Sequence, residues 1–297
     1  MLTLELNHLR KQYKNKTAVN DLSLELKEGV YGLLGANGAG KTTLLRMLCD
    51  ILKPTSGSVL CNGAPIREMG GEYRRMLGYL PQDFGYYPDM KAGRYLRYLA
   101  ELKALPPELI GSKTQELLQM VELYEVRNKK LKTFSGGMLR RLGIAQAMLN
   151  DPEILILDEP TAGLDPKERI RFRNIISSFS RNRIVILSTH IVSDVEYIAD
   201  RILLMKQGEL IRQGNLSQIT EKLRGCVWEC AAPAGQAREL NERYAVTNLR
   251  NCGDKVSLRI VAEEKPAEDA LPAEPNLEDV YLYYFTEKES SHGRDRR

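Results

Sequence analysis

An eight-residue loop constrains the fold of this chain more than any other feature. Residues 35–42 read Gly-Ala-Asn-Gly-Ala-Gly-Lys-Thr and fit the pattern G-x-x-x-x-G-K-[ST]. A mostly apolar run, residues 30–34, leads into the loop and a helical pattern follows it, so the loop is predicted to join a buried strand to a helix. Glycines let backbone N–H groups converge on a phosphate, Lys41 adds a positive charge, and the Thr42 hydroxyl suits Mg²⁺. The sequence therefore predicts an α/β fold with a phosphate site.

A second apolar run, residues 154–157, ends in two carboxylates, Asp158 and Glu159. A buried parallel strand would deliver both at its carboxyl end, the edge at which open α/β sheets bind ligands. There Asp158 can hold Mg²⁺ through its water shell, and Glu159 can take a proton from a water that attacks a γ-phosphate. An acidic pair that caps a helix is the alternative, and the glycine loop favours the catalytic interpretation.

A third segment, Ser135, Gly136 and Gly137, stands immediately before a helical pattern. It brings a hydroxyl, flexible amides and a helix N-terminus to one point, which makes a second anion site. One γ-phosphate does not need two glycine cradles from a single chain. We therefore expect this loop to cover the nucleotide of a second copy, with two ATP molecules held between two chains; a plain glycine-rich turn is the alternative.

Composition places the chain in the class of globular proteins. Of 297 residues, 43% are hydrophobic and 28% are charged, and the net charge of +4 gives no sign of a nucleic-acid partner. No run reaches the roughly 18 apolar residues that span a bilayer, and the N-terminus does not resemble a signal peptide. We therefore expect a cytosolic protein that reaches a membrane only through a partner. Of five cysteines, Cys226 and Cys230 could be half a metal site, but reduced structural thiols are the favoured interpretation.

The patterning along the chain predicts two domains. Leucines alternate at residues 2–6 and 22–26, which indicates antiparallel strands, and strands alternate with helices after residue 137, which indicates a mostly parallel sheet. Helical spacing between them predicts a helical insert at about residues 85–135. We expect the main domain to cover residues 1–215, a small α+β appendage to cover 216–286, and a disordered tail to cover 287–297.

The order of the three motifs, with Gln82 and His190 in the expected positions, resembles the ATP-binding cassette of ABC transporters from Met1 to about Asn215. The resemblance implies a P-loop NTPase fold with an antiparallel β subdomain and a helical insert. It also implies an ATPase that uses ATP and Mg²⁺, forms a homodimer and serves a separate transmembrane permease. Such a subunit would lie peripherally on the cytoplasmic face of the cell membrane. A soluble ABC ATPase without a transport role is the alternative.

The resemblance also assigns roles to side chains. Tyr13 would stack on adenine, unless it only packs locally; Gln82 would reach Mg²⁺ and the attacking water; Asp165 would link the two sites of a dimer; and His190 would contact the γ-phosphate. The implied catalytic residues are Glu159, His190, Gln82 and Lys41. The implied metal ligands are Thr42, Gln82 and Asp158. The implied nucleotide contacts are Tyr13, Gly35, Ala36, Asn37, Gly38, Ala39, Gly40, Lys41, Thr42, Thr43, Ser135, Gly136, Gly137 and Asp165.

Two segments narrow the kind of cassette. The third motif departs from the usual Leu-Ser-Gly-Gly-Gln because Phe134 and Met138 stand at its ends, which removes the glutamine amide but keeps the serine and glycines. The aromatic loop, residues 84–88, has little core of its own to enter, so we expect either a socket for a permease helix or local packing. The short C-terminal appendage, which includes residues 275–281, resembles bacterial exporters of drugs and peptide antibiotics.

Overall fold

A computed structural model describes residues 2–285 of the chain, and the predicted tail at residues 287–297 lies outside them. The chain divides into two compact units, with the division between Arg212 and Gln213. The assignment of residues 1–215 and 216–286 to separate functional domains stays a prediction. Within residues 2–285, no helix has the length and apolar character required to cross a bilayer.

The first unit contains most of the regular structure. Its strands are β1 (Thr3–Tyr13), β2 (Lys16–Lys27), β3 (Gly29–Leu34), β4 (Ser56–Cys61), β5 (Ala64–Pro65), β6 (Leu77–Leu80), β7 (Ile154–Asp158), β8 (Ile184–Thr189), β9 (Arg201–Lys206) and β10 (Glu209–Gly214), of which β10 crosses the division. Its helices are α1 (Lys41–Leu48), α2 (Ile66–Met69), α3 (Gly71–Met76), α4 (Ala92–Leu102), α5 (Pro107–Met120), α6 (Gly136–Ala147), α7 (Pro166–Phe179) and α8 (Val192–Ile198).

A four-stranded antiparallel sheet has the order β2-β1-β4-β5. The alternating leucines pair as predicted, with Leu4 opposite Leu26 and Leu6 opposite Leu24. Both strands continue beyond the leucines to the pair Tyr13 and Lys16, so β1 and β2 are longer than expected. The extensions are rich in exposed polar residues, which carry no alternation of apolar side chains and therefore no strand signal.

The second sheet has six strands in the order β10-β9-β3-β8-β7-β6, and β9 through β6 are parallel, as expected for an α/β fold. Its central strands are buried on both faces, because successive side chains enter two different cores. Ile154 and Ile156 pack in a core with α1 and the antiparallel sheet. Leu155 and Leu157 pack in a core with α4, α5, α6 and α7 on the other face. Two-sided burial fixes the register that places the strand ends.

Helices α4 and α5 form the predicted insert, and the break between them includes Pro106, with Pro107 as the first residue of α5. The strand β6 and the short helices α2, α3 and α8 were not predicted. Each has seven residues or fewer, which is too short to show a clear period.

The second unit contains β11 (Val227–Pro233), β12 (Ala245–Cys252), β13 (Lys255–Val261), β14 (Leu271–Pro272), α9 (Leu216–Thr220), α10 (Ala234–Arg243) and α11 (Leu277–Phe285). Its antiparallel sheet has the order β12-β13-β11-β14. The mixture of strands and helices agrees with the α+β character expected for this part of the chain. The aromatic run at residues 280–285 is helical, because the Asn276 side chain accepts a hydrogen bond from the Asp279 N–H and so caps α11 (2.8 Å).

A buried carboxylate is expected to hold this second unit together. Asp279 is fully buried and accepts hydrogen bonds from Arg259 Nε (2.9 Å) and Nη2 (2.8 Å) and from Thr247 Oγ1 (2.7 Å). These contacts raise the pKa of the Arg259 guanidinium. Replacing Asp279 by Ala leaves the partly buried guanidinium of Arg259, which is 16% exposed, without its main partner, so the free energy of unfolding should fall by about 3 kcal/mol.

Urea unfolding followed by fluorescence measures this change directly, because the single tryptophan, Trp228, lies in β11 of the same unit. Glu229→Ala is the matched control: Glu229 also pairs with Arg259 (2.6 Å), but its side chain is 57% exposed, so its loss should cost about 1 kcal/mol or less. Equal effects of the two substitutions would contradict the prediction.

Candidate active site

The candidate active site lies at the carboxyl ends of three adjacent strands. In the parallel sheet β8 runs between β3 and β7, with Leu34 opposite Thr189 and Asp158 opposite Ser188. The glycine loop leaves β3 at this edge, Glu159 follows β7, and His190 follows β8. The fold therefore brings together side chains that are more than a hundred residues apart in sequence.

The glycine loop has a backbone that larger residues could not adopt. At Gly40, φ is +107° and an added Cβ would stand 2.1 Å from the Ala18 carbonyl oxygen. At Gly35 an added Cβ would stand 2.4 Å from the Met205 carbonyl oxygen. Gly38 has φ of +81° and faces open space. The helix α1 begins at Lys41, so the loop ends at the positive end of a helix dipole, which suits a phosphate.

Lys41 is 5% exposed, and its ammonium group has three oxygen partners. Nζ donates to the carbonyl oxygens of Gly35 (2.7 Å) and Ala36 (3.3 Å). It also forms an ion pair with Glu159 Oε1 at 3.2 Å. The positive charge expected to bind phosphates therefore lies beside the carboxylate expected to activate water.

Asp158 is fully buried, and its two oxygens differ in their surroundings. Oδ1 accepts hydrogen bonds from Ser188 Oγ (2.7 Å) and from Thr42 Oγ1 (3.2 Å). Oδ2 is buried without a hydrogen-bond partner among residues 2–285. A buried oxygen of this kind calls for a ligand, and a carboxylate with a hydroxyl is a donor set that Mg²⁺ accepts. Thr42 and Asp158 thus fit a magnesium ion, whereas Gln82, the third predicted ligand, lies exposed beyond the end of β6.

Glu159 is held at both ends of the residue. Its N–H donates to the carbonyl oxygen (3.1 Å) and to Oγ (3.0 Å) of Ser188. Its Oε2 accepts a hydrogen bond from His190 Nδ1 at 2.8 Å, while Oε1 contacts Lys41. The backbone φ of +47° is strained for a residue with a Cβ, and such strain is concentrated at functional sites.

Ser188 is a site residue that the sequence did not reveal. Its hydroxyl bonds to Asp158 and to the Glu159 N–H, so it aligns both acidic residues. The signal that could have found it is the register of the sheet, because Ser188 lies directly opposite Asp158. A polar residue in an otherwise apolar buried strand indicates such a role only when the neighbouring strand is known.

The serine–glycine motif begins α6, and each of its residues has a different local role. Ser135 is the N-cap and its Oγ accepts a hydrogen bond from the Met138 N–H at 3.2 Å. An added Cβ at Gly137 would lie 2.7 Å from Glu168 Oε2, so a larger residue there would displace the end of the Glu168 side chain. At Gly136, apart from the chain neighbours and the backbone of its own helix, no heavy atom of the described chain lies within 4 Å of an added Cβ. Phe134 and Met138 pack against the apolar core, which explains the departures from the usual motif.

Two other predicted residues lie apart from these contacts. Tyr13, at the end of β1, has 45% of its surface exposed, and Lys11 Nζ lies 5.2 Å from its ring centroid. Asp165 is the N-cap of α7 and accepts a hydrogen bond from the Glu168 N–H at 2.9 Å. Adenine stacking by Tyr13, the dimer role of Asp165 and the contact of Gln82 with Mg²⁺ and the attacking water stay predictions.

The aromatic loop combines local packing with exposure. Phe84 packs against the apolar core, so the expectation that this loop has little core to enter is wrong for Phe84. The Tyr95 hydroxyl donates to the Gly85 carbonyl oxygen (3.1 Å) and thereby anchors the loop, and burial raises the pKa of Tyr95 to about 12. Tyr86 and Tyr87 are 36% and 53% exposed, so they are available for another surface. The permease socket stays a prediction.

Comparison with known proteins shows the same motifs in a family. Residues 19–162 match the family described as ABC transporter. Over 301 aligned residues the chain is 34% identical to YxlF of Bacillus subtilis (strain 168), which is named as an uncharacterized ABC transporter ATP-binding protein. The alignment covers 94% of this chain and 98% of YxlF. It is 36% identical over 225 residues to the Nod factor export ATP-binding protein I of Cupriavidus pinatubonensis, with 75% and 69% of the two chains covered.

A solved structure also resembles this chain. It is described as the dimeric post-hydrolysis state of the ATP-binding cassette MJ0796 bound to ADP and Pi. The TM-score is 0.65 at 27% identity, and the match covers 71% of this chain and 98% of that one.

Proposed function

This chain belongs to the ABC transporter ATP-binding proteins. From this membership we propose that two identical copies bind ATP and drive export through a separate membrane permease. The family expected from the motif order is confirmed, and with it the α/β fold and the ATPase activity. The alternative, a soluble ABC ATPase without a transport role, is not favoured. The observation that carries the proposal is the position of Glu159, held between Lys41 and His190 beside the half-satisfied carboxylate of Asp158.

The site can hydrolyse ATP by positioning and charge stabilisation, without a covalent intermediate. The Lys41 ammonium and the loop N–H groups would bind the β- and γ-phosphates. Thr42 and Asp158 would hold Mg²⁺, which when bound neutralises charge on the phosphates. Glu159 would accept a proton from the attacking water, and His190 is a positioning residue because its Nδ1–H donates to the Glu159 carboxylate. Contact of His190 with the γ-phosphate remains part of the proposal.

The serine–glycine motif supports a dimer with shared sites. A larger residue at Gly137 would displace the Glu168 side chain, whereas a Cβ at Gly136 would meet no part of the described chain beyond its chain neighbours and its own helix backbone. Glycine at this position would allow the backbone to approach the nucleotide of another copy closely, because glycine has no side chain. The solved cassette described above is dimeric with ADP and Pi, which supports the same arrangement here.

The Nod factor export relative supports the direction of transport, and the proposal places this chain among exporters of the drug and peptide-antibiotic type. Within residues 2–285, no helix could cross a bilayer, so the membrane-spanning part is assigned to the separate permease. We place the subunit on the cytoplasmic face of the membrane, held there by the permease. The exposed rings of Tyr86 and Tyr87 are the proposed contact surface.

A valine at Gly136 tests the shared site. In a Glu159→Gln background, which hydrolyses ATP slowly, saturating ATP should convert the protein to a dimer in light scattering. Gly136→Val should reduce ATP-induced dimerisation by at least about tenfold, because its side chain fills the space reserved for the partner's nucleotide. Gly235→Val is the matched control, since Gly235 is likewise an exposed glycine in the first turn of a helix, and a Cβ there would meet no part of the described chain beyond its chain neighbours and its own helix backbone. Equal dimerisation of both variants would rule out the shared site.

A further inference from the structure

A cationic cavity lies in the helical insert, away from the nucleotide site. It is formed by α4, α5 and the turn at residues 124–128, and its volume is about 390 Å³. Lys91, Arg94, Arg97 and Arg127 line it, and the lining includes no aspartate or glutamate. Four like charges around one cavity repel each other unless an anion lies among them.

The guanidinium groups that line this cavity form no ion pairs with carboxylates of residues 2–285. Within residues 2–285, the side chains of Arg94 and Arg97 have neither a carboxylate partner nor a hydrogen bond. Arg127 is held in place: its guanidinium lies 3.8 Å from the centroid of the Tyr124 ring, and its Nη1 donates to the Tyr124 carbonyl oxygen at 2.8 Å. The cavity thus combines one preorganised guanidinium with two that are free to bind.

A buried hydroxyl gives independent evidence for a ligand. Thr114 lines the cavity and is 3% exposed, yet its Oγ1 has no hydrogen-bond partner in the described part of the chain. A threonine hydroxyl in a helix ordinarily bonds to the carbonyl of the preceding turn. An unpaired buried hydroxyl is costly, and although Oγ1 itself is closed to water, a ligand oxygen in the cavity would satisfy it once the Thr114 side chain turns toward the cavity.

Side chains rather than a helix dipole make this site. The first N–H groups of α4 are already bonded within the protein, since Ala92 donates to the Lys129 carbonyl oxygen (3.2 Å) and Gly93 donates to that of Arg127 (2.9 Å). Leu118 and the Tyr124 ring add apolar wall to the cavity. The lining suits a ligand with an anionic group and some carbon skeleton.

We propose that this cavity binds the phosphate group of a small organic phosphate. Guanidinium groups match the geometry and charge of phosphate, and the Thr114 hydroxyl can donate to a phosphate oxygen. The volume lies in the range of small-molecule sites and leaves room for more than the phosphate itself. Such a phosphate can come from a free metabolite or from a phospholipid headgroup. The proposal does not depend on ATP hydrolysis, because the cavity shares no residue with the nucleotide site.

Calorimetric titration with glycerol 3-phosphate tests the proposal on the full chain. We expect saturable binding of one molecule per chain, weakened about tenfold by Arg97→Gln through the loss of a charge-assisted contact. Thr114→Val should weaken binding several-fold although it changes no charge, which separates a built site from general attraction. Arg181→Gln is the control: Arg181 is an exposed arginine outside the cavity, and binding should not change.

Flotation with vesicles of phosphatidylglycerol, compared with vesicles of phosphatidylcholine, distinguishes the two sources. Binding to phosphatidylglycerol vesicles that requires Arg97 and Thr114 identifies a lipid headgroup, whereas binding of free glycerol 3-phosphate alone identifies a soluble metabolite. The proposal is overturned if neither probe binds saturably, or if Arg97→Gln and Thr114→Val bind as well as Arg181→Gln.

Discussion

Glu159→Gln is expected to bind ATP and to slow its steady-state hydrolysis by about 10²–10⁴-fold, the usual contribution of a general base. Glutamine has nearly the same size as glutamate but its amide cannot accept the proton of the attacking water. The substitution also removes the ion pair between Glu159 and Lys41, at 3.2 Å. The phosphates then no longer compete with a carboxylate for the ammonium group. ATP affinity should therefore be maintained or rise while turnover falls.

Phosphate release and equilibrium binding of ATP, measured on the same preparation, separate these two effects. Glu153→Gln is the matched control, because it makes the same change in charge and size. Glu153 is exposed and lies next to the opposite end of β7. Its turnover should equal that of the unaltered protein. Wild-type turnover in Glu159→Gln would remove Glu159 from the role of base.

The parts of the site that the sequence predicted are those that follow from local spacing. Each of three features follows a strand whose end can be read from the sequence: the glycine loop, the acidic pair at the end of β7, and His190. Because parallel strands deliver their carboxyl ends to one edge, these features could be expected to lie together. The contact of Glu159 with Lys41 and the double role of Ser188 depend on how β7 and β8 are aligned. That alignment is set by two-sided core packing, which one sequence does not display.

The fold was predictable where side chains alternate or repeat regularly. Strand β12 was missed because five of its eight residues, including Leu249, are exposed, so it carries little apolar pattern. The helix α11 was hidden because its run of aromatic residues suggests a strand as readily as a helix. Asn276 caps this helix, and the buried Asp279 in its first turn is held by Arg259 and Thr247, which are distant in sequence.

The two glycines of the serine–glycine motif show how the structure refines a sequence motif. Sequence alone treats Gly136 and Gly137 as equivalent sources of flexible backbone. In the structure, Glu168 fills the space where a Cβ of Gly137 would stand, whereas the space at Gly136 is open within the described chain. Glu168 thus limits the size of the residue at Gly137 inside one chain, whereas no such contact limits Gly136, and there the partner chain is the proposed reason for glycine.

Lys41→Ala is expected to reduce the affinity for ATP by at least about 10²-fold, because it removes charge-assisted hydrogen bonds of about 1.5–3 kcal/mol each to two phosphates. Fluorescent-nucleotide binding measures the loss. Lys27→Ala is the control, since Lys27 also pairs with a glutamate (3.2 Å) but in an exposed position. Unchanged affinity in Lys41→Ala would contradict the proposed site.

Because Lys41 is buried, its loss also alters the protein itself, and the ion pair provides a way to separate the two effects. Lys41→Ala leaves the Glu159 carboxylate buried, with His190 as its remaining side-chain partner. We therefore expect Lys41→Ala to lower the free energy of unfolding less in a Glu159→Gln background than alone, since no unpaired charge then remains. ATP affinity should stay low in both backgrounds, because the phosphate contacts are missing in each. Recovery of ATP affinity in the double variant would instead mean that Lys41 serves only to neutralise Glu159.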